Sequence, residues 1–91
     1  MSRLSSLVER SSIVDRLPLI GSKKLTRKLL KAGFQYAPVK GKGSHTALVI
    51  YDANGRPHLV IIPHRNPIPR GTLLSIIKQS GLSKEEFLSL L

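Results

Sequence analysis

Between two segments that read as strands stands the run Lys40-Gly41-Lys42-Gly43-Ser44-His45-Thr46. A plain hairpin needs only the glycines. The lysines and the histidine bring chemistry. An imidazole has an unperturbed pKa of about 6.5, so it gives and takes protons near neutrality. Gly41 and Gly43 let the backbone approach a phosphate closely, and their N–H groups suit an anion-binding nest. Lys40 and Lys42 add positive charge, and Ser44 adds a hydroxyl donor. A polymer with its own 2′-hydroxyl nucleophile needs three things to be cut: a base, an acid for the leaving 5′-oxygen, and positive charge facing the phosphorane. A histidine among lysines supplies these without a metal. The residue types leave a plainer alternative open, in which the glycines satisfy turn geometry and His45 merely begins a strand.

Other chemistries find less support. The five carboxylates, Glu9, Asp15, Asp52, Glu85 and Glu86, are scattered along the chain rather than clustered. Hard-metal nucleases need several oxygen ligands in one place, and glycosidases need a facing carboxylate pair. Neither pattern is present, nor is a phosphate-loop or dinucleotide fingerprint or a nucleophile elbow around any serine. With no cysteine in the chain, disulfides and cysteine-bound zinc are excluded. No cofactor or metal is expected. Two further histidines remain. His58, beside a turn, reads as an exposed strand residue. His64 and Arg65 follow Pro63 at a strand end, where they suit a second acid/base or a phosphate contact.

The charge balance names a partner class. Fifteen Lys and Arg stand against five Asp and Glu, a formal charge of +10 on 91 residues, and no acidic residue occurs between Asp15 and Asp52. Such an imbalance opposes compaction through self-repulsion and fits a polyanionic partner, nucleic acid first. The charge is also organised. In residues 22–33, helical geometry puts Lys23, Lys24, Arg27, Lys28 and Lys31 within an arc of about 140°, with Leu25, Leu29, Leu30 and Ala32 on the other side. Solvated helices usually mix signs. Here Lys23/Arg27, Arg27/Lys31 and Lys24/Lys28 are like-charge pairs, each costing about 0.2–0.5 kcal/mol in an isolated helix. No apolar run approaches the ~20 residues of a membrane span and no signal-peptide pattern opens the chain, so a cytoplasmic protein without a membrane partner is expected.

The elements that must position these groups can be read in order. Residues 1–18 form a weak helix or tail closed by Pro18. A helix follows over 22–32, with Ser22 as its N-cap and Gly33 as its stop. Residues 34–39 are a short strand, 45–51 a strong strand and 58–62 a third, with Asn54-Gly55 turning the hairpin between the last two. Residues 63–70, with three prolines, are a loop. A largely apolar helix over 71–80, capped by Thr72 and stopped by Gly81, is expected to lie buried against the sheet. A terminal helix opens with a Ser83/Glu86 capping box and a Leu82/Phe87 hydrophobic staple. The result is one α+β domain: helix, three-stranded antiparallel sheet, helix, short C-terminal helix.

Taken together, "LTRKLLKAGF", "GSHT", "NGRPHLVIIPH" and "IPRGTLLSIIKQSGLSKEEFL" resemble the HicA (YcfA-like) toxins over roughly residues 19–91. The resemblance implies a fold similar to double-stranded-RNA-binding domains. It implies an mRNA endonuclease, neutralised by a HicB-type antitoxin, whose catalytic histidine maps to His45. Residues 1–18 lie outside the match and are expected to be an N-terminal extension. The residues for contacting RNA are then Lys23, Lys24, Arg27, Lys28, Lys31, Lys40, Gly41, Lys42, Gly43, Ser44, His64 and Arg65. Two other readings stand beside this one. One is a double-stranded-RNA-binding module without catalysis; the other is a protein whose charge serves an acidic protein partner.

Overall fold

The computed structural model describes residues 17–38 and 45–91. Within them the order is α1 (Ser22–Lys31), β1 (Gln35–Tyr36), β2 (His45–Tyr51), β3 (Pro57–Pro63), α2 (Arg70–Ser80) and α3 (Lys84–Ser89). The strands form one antiparallel sheet in sequence order, β1-β2-β3. This is the expected α+β arrangement. Most of the expected N-terminal extension and the loop residues Lys40 to Ser44 lie outside the described residues.

Strand alternation decides which face carries the core. Val60 and Ile62 of β3 are buried, and their partners across the ladder are Leu48 and Thr46 of β2. These positions face the helices. Leu25 and Leu29 of α1, Leu73, Ile76 and Ile77 of α2, and Phe87 of α3 complete a single apolar cluster with them. Fully burying one such side chain contributes roughly 1.5–3 kcal/mol. Leu25 and Leu29 alone therefore outweigh the three like-charge pairs on the opposite side of α1, at about 0.2–0.5 kcal/mol each. Leu17 and Ile20 are also buried in this cluster, and Arg70 Nε donates to the Leu17 carbonyl at 3.3 Å.

The outer edge of β3 offers few donors for further pairing. Ile61 N–H points outward and donates to Gln79 Oε1 of α2 at 2.9 Å. Period two places positions 57, 59 and 63 on the same edge. Pro57 and Pro63 carry no N–H, so only Leu59 presents an outward donor there.

Several local expectations are corrected. The N-cap of α1 is Gly21, not Ser22, and no side chain caps it. Ser22 is buried inside the helix, and its N–H is taken by the Arg65 carbonyl at 2.8 Å. A tertiary backbone contact thus satisfies the first N–H of the helix. Likewise α2 begins at Arg70 with Pro69 as N-cap, not at Thr72; Pro69, whose fixed φ suits a helix entry, accepts the first helical bond from Leu73 N–H at 2.9 Å. The first strand is only Gln35–Tyr36, and β3 runs from Pro57 to Pro63. The hairpin turn uses Gly55 alone in the left-handed region, φ 77°, with Gly55 N–H bonded to the Asp52 carbonyl at 2.9 Å. Asp52 Oδ1 accepts from Asn54 N–H and Arg56 N–H at 2.8 and 3.0 Å, so the aspartate organises the turn as much as the asparagine-glycine pair does.

His58 is not a freely exposed strand residue. It lies on the helix-bearing face, half-buried, with Nε2 2.8 Å from Asp52 Oδ2. Its ring lies against Gly81, where an added Cβ would meet it at 2.8 Å. Gly81 also ends α2 in the left-handed region, φ 76°, as expected of a helix stop. The Ser83/Glu86 capping box is formed in both directions.

Two predictions follow from these contacts. Gly81→Ala meets both a left-handed backbone and the His58 ring, and should cost more than about 1 kcal/mol of stability by urea denaturation; an unchanged midpoint would contradict this packing. The Asp52 carboxyl is held below its ordinary value chiefly by the hydrogen bond from His58 and then by Arg56 N–H, and Glu86 is held low by its bonds with Ser83. Each contributes stability that is complete above its ordinary value, 3.8 and 4.5 respectively, and is lost as pH falls through the lowered folded value. The urea midpoint should therefore fall between about pH 5 and pH 3, and fall less in an Asp52→Asn, Glu86→Gln double variant.

Candidate functional site

The site is assembled where the chain entering α1 meets the loop leaving β3. Ile68 N–H donates to the Ile20 carbonyl and Ser22 N–H to the Arg65 carbonyl, each at 2.8 Å. Between these bonds the Asn66 side chain lies over Gly21, so close that a Cβ at Gly21 would stand 2.6 Å from Asn66 Oδ1. Glycine is required there by close approach rather than by its dihedral angles. Together these contacts bring His64 and Arg65 beside the first turn of α1.

Three adjoining depressions result. One, of about 360 Å³, lies between α1 and the sheet; its lining includes Lys23, Thr26, Arg27, Leu30, Tyr36, Thr46 and His64. The next runs over the entry of α1 and takes in Lys23, Lys24, Arg27, His64 and Arg65. The third follows the outer side of α1 along Lys24, Arg27, Lys28 and Lys31. Arg27 borders all three. The basic side of α1 thus continues without a break into His64 and Arg65, and among the described residues no acidic residue lines any part of it.

Within the first depression His64 is held in place. Its Nε2 lies 2.8 Å from Thr46 Oγ1. This engages one ring nitrogen and fixes the plane of the imidazole. Tyr36 sits diagonally across from Thr46 on the same face, because its ladder partner is Leu48. Neither Tyr36 nor Thr46 was singled out by residue type. The signal for both is register: once His45 opens β2, Thr46 must face the helices, and the short β1 leaves Tyr36 65% exposed at the sheet edge.

His45 is exposed and begins β2 opposite Pro63, which immediately precedes His64. The two histidines therefore stand at the same end of the sheet. Alternation separates their directions, with His45 on the face away from α1 and α2 and Thr46 on the helix-bearing face. His45 lines none of the three depressions. The expected residues thus divide into three groups. Lys23, Lys24, Arg27, Lys28, Lys31, His64 and Arg65 are brought together as one surface; His45 stands at the same end of the sheet but on its other face; and Lys40, Gly41, Lys42, Gly43 and Ser44 are outside the described residues. Among the described residues no group of three or more His, Asp and Glu side chains forms a metal cluster, and no helix is long and apolar enough to cross a membrane.

Residues 22–82, from the first residue of α1 to just past α2, match the family model described as HicA toxin of bacterial toxin-antitoxin. The chain belongs to the HicA toxin family. No curated protein matches it at significant similarity. Family membership makes it a toxin of a bacterial toxin–antitoxin pair and implies an antitoxin partner. The matched segment contains both histidines at this sheet end and the whole basic side of α1.

The charge organisation generates a prediction. Replacing Lys24, Arg27 and Lys31 together by Gln should lower the slope of log K against log salt for single-stranded RNA by about 0.7 per lost phosphate contact, or about 2 in all. Thermal stability should hold or rise slightly, because like-charge pairs are removed. An unchanged salt slope would exclude α1 from contact with RNA phosphates.

Proposed function

We propose that the protein is an endoribonuclease toxin that cuts mRNA without a metal, with His45 as general acid or base at the scissile phosphate. The observation that carries this reading is the placement of His45: exposed, at the end of β2, next to the strand end from which His64 and Arg65 extend. A polynucleotide lying along Lys31, Arg27 and Lys23 runs toward that end of the sheet.

The chemistry follows from the substrate. The ribose 2′-oxygen attacks the adjacent phosphorus as its proton is taken by a base. The bond to the 5′-oxygen breaks as that oxygen receives a proton. The products are a 2′,3′-cyclic phosphate and a free 5′-hydroxyl, and the atoms balance with no water consumed. His45 performs one of the two proton transfers. Lys40, Lys42 and the N–H groups of Gly41 and Gly43, which directly precede His45 in sequence, stabilise the charge that builds on the phosphorane oxygens, and Ser44 donates to the same phosphate. A HicB-type antitoxin silences the enzyme by covering this basic surface.

The test is cleavage of mRNA by the purified chain in EDTA, compared with His45→Ala. Cleavage by the native chain should persist in EDTA. The variant should lose about 10²–10⁴ in rate, the usual worth of one positioned acid or base, while binding RNA as before. A variant that cuts at the native rate would remove His45 from the mechanism, and loss of native cleavage in EDTA would overturn the metal-free step.

A further inference from the structure

The depression between α1 and the sheet has a composition that phosphate binding does not explain. A surface that only grips a backbone needs cations. This one also holds an aromatic ring, an apolar floor and a fixed polar edge.

Tyr36 supplies the ring. It lies on the helix-bearing face of the sheet, where its ladder partner Leu48 is fully buried, yet it is 65% exposed. The cause is topological: β1 has only two residues and stands at the sheet edge. Leu30 of α1 supplies apolar surface within the same depression. Thr46 and His64 supply the polar edge, and their 2.8 Å hydrogen bond fixes the imidazole. Lys23 and Arg27 stand on the rim. The volume, about 360 Å³, falls in the range of sites that take small ligands, roughly 300–1,000 Å³.

We propose that this depression is a subsite for one unpaired RNA base. The base stacks on Tyr36, its hydrogen-bonding edge meets His64 and Thr46, and its neighbouring phosphate lies on Lys23 and Arg27. A base has both an apolar face and a polar edge, which is what this lining matches. A base within a duplex keeps its faces stacked and its edge paired, so it cannot enter. The substrate class is therefore unpaired RNA, a loop or a single strand. The inference rests on the ribonuclease reading only for the choice of RNA as ligand.

The chain carries its own probe. It has two tyrosines and no tryptophan. Tyr51 lies at the far end of β2 and, by alternation, on the opposite face. A Tyr51→Phe variant leaves Tyr36 as the sole reporter of tyrosine fluorescence. The ligand is a single-stranded 2′-O-methyl oligonucleotide, which binds but cannot be cut by 2′-hydroxyl attack. It should quench Tyr36. A matched oligonucleotide with abasic positions should not, nor should a blunt duplex. In the full native chain, Tyr36→Leu should weaken binding of the same oligonucleotide about 5- to 150-fold, the loss of one base–aromatic stack. Tyr36→Phe, which keeps the ring face, should bind as the native chain does.

Equal quenching by the abasic strand, preference for the duplex, or native affinity in Tyr36→Leu would each overturn the subsite. Those results would leave His45-dependent cleavage standing. Conversely, base-dependent quenching with no cleavage of unmodified RNA would retain the subsite and remove the enzyme.

Discussion

The architecture of the site depends on one backbone junction. The segment before α1 is tied to the loop after β3 by two hydrogen bonds, with Asn66 seated on Gly21 between them. Without it α1 would still have its apolar side to bury, but nothing would fix its first turn against His64 and Arg65. With it, a helix that carries charge and a strand end that carries histidine become one surface. The junction also satisfies one of the helix's four unpaired N–H groups, because Ser22 N–H finds its acceptor in another part of the chain.

Electrostatics and packing pull against each other in this fold, and packing wins by a clear margin. Like-charge pairs along α1 cost tenths of a kcal/mol each, while each buried leucine on its other side contributes several times as much. A small domain can therefore carry a formal charge of +10, so long as the charge is confined to positions that contribute nothing to the core. The same separation leaves the cations facing solvent, where a polyanion can reach them.

Much of the fold could be read from residue pattern, because its determinants are local. The apolar spacing of α1, the alternation of β2, the Gly81 stop and the Ser83/Glu86 box each depend on residues a few positions apart. The misread details are those decided by distant partners. Ser22 has the residue type of an N-cap, but Arg65 supplies the acceptor for its N–H and the helix starts a residue earlier than that reading allows. His58 looks exposed beside a turn, but Asp52 and Gly81 close around it. Tyr36 gives no signal by type, since its exposure follows from the brevity of β1. His45, His64 and Arg65 stand out by residue type and position alone. That His45 and Thr46 face opposite sides of the sheet follows from strand alternation; that Thr46 is the one toward the helices follows from its pairing with buried Ile62.

The account of catalysis makes the ribose itself a reactant, with the histidine serving proton transfers around it. Its most direct test is a single substitution in the substrate. An RNA whose cleaved nucleotide carries 2′-deoxyribose should bind the native chain as the all-ribose strand does and remain intact at that bond, while the unmodified strand yields a 2′,3′-cyclic phosphate end. Cleavage of the deoxy-substituted bond at the ordinary rate would contradict the account, because the attacking oxygen would then have to come from somewhere other than the RNA.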